Sequence, residues 1–153
     1  MRIEKLEIVK NEGAGNLLFS RDLQSWISNL NASPRIIKNE TSIHNTWIQE
    51  DINLIEHKAG GKELTIGTKQ KNLCYEGILF FKDNNDDVHR KLCELDGSPM
   101  YYYGYTFLFN LGICLIDFHK YDGGQDDRVV SVFTSGAYDK YKEKAVILER
   151  SDW

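Results

Sequence analysis

Hydrophobic positions along the chain switch between alternating and helical spacing, and the switches predict its elements. Ile3 to Val9 alternate loosely and predict a strand, stopped by the turn-rich Asn11-Glu12-Gly13-Ala14-Gly15. Leu23, Trp26, Ile27 and Leu30 then fall at i, i+3, i+4 and i+7, which predicts an amphipathic helix. Ser20 is placed to cap it, Asp22 lies in its first turn, and Asn31 with Ser33-Pro34 ends it. A second helix starts at Asn84 or Asn85, carries Asp86 and Asp87 at the positive end of its dipole, and aligns Val88, Leu92 and Leu95 on one face. Gly97 and Pro99 stop it.

The remaining segments predict strands. Thr46 to Lys58 fits both periods, a helix through Ile48, Ile52 and Ile55 or a strand through Ile48, Ile52 and Leu54 interrupted by Glu50. The Ala59-Gly60-Gly61 turn, with Leu64 and Ile66 beyond it, favours a hairpin there. Cys74 to Phe81 is apolar and aromatic and predicts one buried strand. Tyr103 to Phe109, Ile113 to Phe118 and Val129 to Phe133 follow, separated by Asn110-Leu111-Gly112 and by a polar loop from Tyr121 to Asp127, with Ala145 to Leu148 as a last strand. No internal repeat is legible. These elements predict an α+β chain, residues 1–153 forming one domain, with a mostly antiparallel sheet and two helices packed on one face.

Composition narrows the function classes. Of 153 residues, 41% are hydrophobic and 27% charged, the profile of a chain that buries a core. A net charge of −4 disfavours a general nucleic-acid binder, which must neutralise phosphates, and suits a basic partner. Cys74, Cys93 and Cys114 lack paired spacing and predict reduced core thiols in a cytoplasmic protein. The N-terminus has no apolar signal core and no run is long enough to span a bilayer, so no membrane association is expected.

Candidate chemistry is sparse. His44, His57, His89 and His119 are scattered and no CxxC occurs, so no metal site is predicted. There is no GxSxG elbow, and Gly13-Ala14-Gly15 lacks the third glycine of a dinucleotide loop, so no cofactor is expected. Asp117 and His119, with Arg128 across the following loop, form the one enzyme candidate, a small hydrolase or nuclease pair on one strand face; a solvated strand end is the favoured account of them. No residue is assigned a catalytic role.

Acidic and aromatic residues point to a binding surface instead. Asp83, Asp86 and Asp87 crowd the loop into the second helix, and Asp122, Asp126 and Asp127 crowd the late loop. In Tyr101-Tyr102-Tyr103-Gly104-Tyr105, a continuous strand would put Tyr101, Tyr103 and Tyr105 on one face and Tyr102 on the other. Exposed phenols beside carboxylates suit a basic protein partner, the rings as anchors and the charges as steering elements. A structural protein that self-associates through a sheet edge, as a homodimer, is the third class the sequence allows.

The runs Tyr75-Glu76-Gly77-Ile78-Leu79-Phe80-Phe81, Leu95-Asp96-Gly97-Ser98-Pro99 and Leu111 to His119 resemble small bacterial immunity proteins of polymorphic toxin systems, including those that guard against contact-dependent growth inhibition toxins. The likeness covers roughly the C-terminal half. It implies a cytoplasmic antitoxin that binds one cognate toxin domain, often a basic nuclease, without touching nucleic acid itself.

Overall fold

The computed structural model describes residues 5–119 and 127–153. After a leading strand, β1 (Leu6–Val9), the chain runs through a short hairpin, β2 (Gly13–Ala14) and β3 (Leu17–Leu18), then α1 (Leu23–Leu30), then an antiparallel meander of β4 (Arg35–Lys38), β5 (Ser42–Trp47), β6 (Ile52–His57) and β7 (Lys62–Gly67). It then repeats the plan. The hairpin of β8 (Leu73–Tyr75) and β9 (Ile78–Leu79) leads into α2 (Asn85–Asp96) and a second meander, β10 (Met100–Tyr102), β11 (Tyr105–Leu108), β12 (Ile113–Ile116) and β13 (Val129–Phe133). A short strand, β14 (Val146–Ile147), closes the chain's last segment. The class is α+β with a dominant, mostly antiparallel sheet.

Both helices begin and end by the same chemistry. The side chains of Asp22 and Asn84 accept hydrogen bonds from the backbone N–H groups of Ser25 (2.9 Å) and Asp87 (3.2 Å), satisfying donors that a helix leaves unpaired. Asn31 and Gly97 stop the helices in the left-handed region, at φ 53° and 83°. Ser33-Pro34 and Ser98-Pro99 follow, and each proline delivers the chain to the outer strand of its meander.

The strand order has the palindromic form of an approximate two-fold. In the nine-stranded sheet, β14-β10-β11-β12-β13-β7-β6-β5-β4, the two meanders run inward from opposite edges and meet at β13 and β7. These pair antiparallel about Thr65 opposite Ser131. The five-stranded sheet, β3-β2-β1-β8-β9, has the same form: β2 is antiparallel and β8 parallel to the central β1, so the two hairpins run in opposite directions. The chain therefore contains an internal repeat, residues 13–67 and 73–133, contrary to the reading of the sequence. It is carried by connectivity, with few shared residues beyond the Ser-Pro pair after each helix.

One buried cluster joins both helices, the small sheet and the inner face of the large sheet, through residues such as Trp26, Leu30, Trp47, Ile66, Leu92, Leu115 and Val132. The indoles organise its first half. Trp26 stacks on Trp47 at 6.1 Å between ring centroids and on Phe19 at 6.5 Å. Their N–H groups donate to the carbonyls of Leu18 (2.9 Å) and Ala32 (2.7 Å), so burying them leaves no donor orphaned. A second cluster lies on the outer face of the second meander, where Ala137, Tyr138 and Ala145 cover Phe107, Cys114 and Phe133.

Several predicted elements differ in detail. The N-cap of α1 is Asp22 rather than Ser20. The hairpin expected across Ala59-Gly60-Gly61 forms between β6 and β7, but Thr46 to Lys58 is not one strand: Thr46 and Trp47 end β5, exposed Ile48 lies in the turn after it, and β6 begins at Ile52. Cys74 to Phe81 is two strands, because Glu76 and Gly77 adopt φ of 50° and 77° and reverse the chain. Leu95 faces solvent; α2 buries Val88, His89, Leu92, Cys93 and Asp96 instead.

Two substitutions test this packing by urea denaturation. Trp26→Ala should cost about 3–5 kcal/mol, and a loss below ~1 kcal/mol would remove the indole stack from the core. Asp96 ties the end of α2 to the β11–β12 turn: its carboxylate accepts from the N–H groups of Asn110 (2.9 Å), Leu111 (3.2 Å) and Ser98 (3.1 Å). Asp96→Ala orphans these donors and should cost about 1–3 kcal/mol, whereas unchanged stability would show that water replaces the carboxylate.

Candidate partner-binding surface

Register brings several chain segments to one end of the large sheet. Tyr102 pairs with Tyr105, Tyr105 with Ile116, Ile116 with Val129 and Val129 with Gly67. The β10–β11 turn, the exit of β12, the entry of β13 and the exit of β7 therefore lie side by side. Asp51 joins them, because its carbonyl accepts from the Gly67 N–H (2.9 Å).

The N-terminus of α2 is fastened to the same end. The Asn85 amide donates to the Phe118 carbonyl (2.7 Å) and its oxygen accepts from Arg128 Nη1 (2.9 Å). The Arg128 guanidinium lies 5.8 Å from the ring centre of Phe81 and 5.4 Å from that of Phe118, held by both aromatic faces. Through Asn85 and Arg128 the two acidic segments of the sequence converge: exposed Asp86 follows one residue and exposed Asp127 precedes the other.

The carboxylates have different duties. Asp83 is half-buried and accepts from the Leu79 N–H (2.9 Å), holding the loop between β9 and α2. Asp87 pairs with Arg90 at 2.7 Å on the helix surface. Asp51 and Asp117 are half-exposed members of the same acidic end, and no local sequence pattern marks them; only the strand register does. Asp122 and Asp126 lie outside the described residues.

The tyrosines do not form the shared face that a continuous strand would give. Tyr103 and Gly104 form a two-residue turn at φ 40° and 85°, so the strand breaks between Tyr102 and Tyr105. Tyr101 turns inward, its hydroxyl oxygen accepting from the Gly104 N–H (3.0 Å) and its ring 5.1 Å from that of His119. Tyr105 joins the outer cluster against Phe107 and Tyr141, and burial raises its phenol pKa. Tyr103 alone projects, 84% exposed at the tip of the turn. The turn is docked on the acidic end, since the Asp117 N–H donates to the Gly104 carbonyl (2.9 Å).

The Asp117–His119 pair is not assembled as a strand face either. The strand ends at Ile116, and Asp117 takes φ 63°, which breaks the alternation that would align the two side chains. His119 is buried, 5.1 Å from the His89 ring, with Nε2 2.8 Å from the carbonyl oxygen of Asp152. His89 Nδ1 lies 2.8 Å from the backbone oxygen of Trp153 and its Nε2 2.9 Å from Thr106 Oγ1. Both imidazoles clip residues 152–153 onto the core.

Burial pushes the Cys74 thiol up to about 11 and the Cys93 thiol up to about 12, and it raises Cys114 well above the ordinary range, so all three stay protonated at neutral pH. Among the described residues, no group of three His, Cys, Asp or Glu is arranged to hold a metal ion. No helix among them is long and apolar enough to cross a membrane.

The chain matches no known family model, and neither a curated protein nor a solved structure is similar to it.

Proposed function

We propose that the chain is an immunity protein, an inhibitor that binds a cognate bacterial toxin domain of basic, nuclease type in the cytoplasm. The observation that supports this reading most is the gathering of Asp51, Asp86, Asp117 and Asp127 along the one end of a rigid sheet from which Tyr103 projects. Carboxylates gathered from three segments create a local field that speeds encounter with a positive surface. A tyrosine at the tip of a tight turn offers a large, nearly preorganised ring to a pocket, at little conformational cost. The mechanism is occlusion: the acidic end takes the place of phosphate on the toxin's basic groove, and Tyr103 anchors it.

The test is a binding measurement between the full chain and the toxin domain encoded beside it. Substituting Asp86, Asp87 and Asp127 by Asn should slow association about tenfold at low salt and flatten its salt dependence. Association that keeps its rate and its salt slope would exclude this end as the steering surface. Tyr103→Ala should leave the association rate nearly unchanged and speed dissociation, weakening binding by about 2 kcal/mol or more. An unaltered dissociation rate would remove Tyr103 from the interface.

A further inference from the structure

The approximate two-fold lets each half of the large sheet serve as a reference for the other. In the second half, residues 134–145 cover the outer face, and β14 lies antiparallel on the outermost meander strand, β10, with Met100 opposite Ile147 and Tyr101 opposite Val146. The equivalent outermost strand of the first half is β4, and among the described residues no strand pairs with its outer edge. All four of its residues are exposed, Ile36 and Ile37 at 47% each.

We propose that β4 is a strand-addition site for an extended, acid-flanked segment of a protein partner. An open edge offers a row of backbone donors and acceptors, and an incoming strand satisfies them while its side chains meet those of the edge. The edge is held in shape for this. Asn39 Oδ1 accepts from the backbone N–H groups of Thr41 (2.9 Å) and Ser42 (2.7 Å), which fixes the β4–β5 turn. Ile37 lies opposite His44, and His44 opposite Ile55, so the outer face beside the edge continues as half-exposed apolar and imidazole surface.

Charge selects the occupant. Arg35 and Lys38 bracket the isoleucine pair. A second copy of the chain, aligned antiparallel with the isoleucines facing each other, would set Arg35 against Lys38 twice, and directly opposed like charges destabilise a sheet pair. The same bracket matches a strand with carboxylates outside an apolar centre. The chain's own β14 segment fits in one antiparallel register: with Arg35 opposite Glu149, Ile36 and Ile37 meet Leu148 and Ile147, and Glu40 meets Lys144. This surface is separate from the acidic end, so the proposal does not depend on the inhibitor reading.

The probe is a blocked peptide of residues 143–149, Glu-Lys-Ala-Val-Ile-Leu-Glu, titrated into the isotope-labelled full chain with amide shifts followed by NMR. Saturable shifts should appear at residues 35–38 and in the adjoining strand β5. The double variant Arg35→Glu with Lys38→Glu should weaken peptide binding about tenfold. A peptide with both glutamates changed to lysine should bind that variant better than the original chain. Absence of saturable shifts, shifts confined to residues 100–102 through displacement of β14, or equal affinity for both chains would overturn the proposal. So would a peptide-free dimer that the charge-reversing pair dissolves, since β4 would then serve a second copy.

Discussion

The antiparallel seam between β7 and β13 is the constraint on which the architecture rests. It joins two meanders that are otherwise complete, and its central pair, Thr65 and Ser131, lies where the two halves exchange places. On the inner side the seam sets Leu64 beside Val132 and Ile66 beside Val130, so the core is continuous across it. On the outer side Ser131 is fully buried and its hydroxyl is met by Tyr138 at 3.1 Å. A shift of one residue would exchange these faces, placing aliphatic side chains under Tyr138 and hydroxyls in the core. Hydrophobic patterning therefore fixes the register, and the register fixes which loops share an end of the sheet.

That end owes its character to topology more than to local sequence. Asp51 comes from the β5–β6 turn, Asp86 from the first turn of α2, and Asp117 and Asp127 from the two ends of the β12–β13 connection, and Asn85 with Arg128 ties the last two segments together. Arg128 lies between two aromatic faces and an amide, so its side chain serves as a cross-brace under the acidic rim. Similar economy appears elsewhere: Asp96 at the C-terminus of α2, His89 within it and His119 beyond β12 hold backbone groups of distant segments. Polar side chains in this protein tie connections to the core, and exposed charge is left at the rim.

Much of this was legible in the residues, and the failures have physical causes. Helical spacing identified α1 from an apolar buried face and α2 from Val88 and Leu92, while the polar residues His89 and Asp96 hid the rest of the second face. The edge strand β4 escaped notice because none of its residues is buried, so its side chains carry no alternating signal. Tyr103 escaped as a turn residue because φ 40° is rare for a bulky L-residue, and only Gly104 hinted at reversal. The repeat escaped because a two-fold of connectivity needs equivalent caps and turns rather than equivalent residues. Asp22 stands where Asn84 stands, and Asn31 where Gly97 stands, each pair doing one job with different residues. The acidic loops could be named from the sequence, but their convergence could not, because it depends on strand pairing.

The leading strand β1 has a further consequence for how the chain reaches this state. Its position between β2 and β8 means that the first strand of the chain completes its pairing only when Leu73 and Cys74 arrive beside Leu6 and Glu7. The seam imposes a similar delay, since Thr65 must wait for Ser131. Pairings between such distant residues raise the loop-closure entropy that must be met before any contact rewards it, which favours slow folding over the rapid collapse of a locally wired bundle. During synthesis the first meander thus emerges with the inner edge of β7 bare, and the second half of the chain acts as the missing neighbour that shields it.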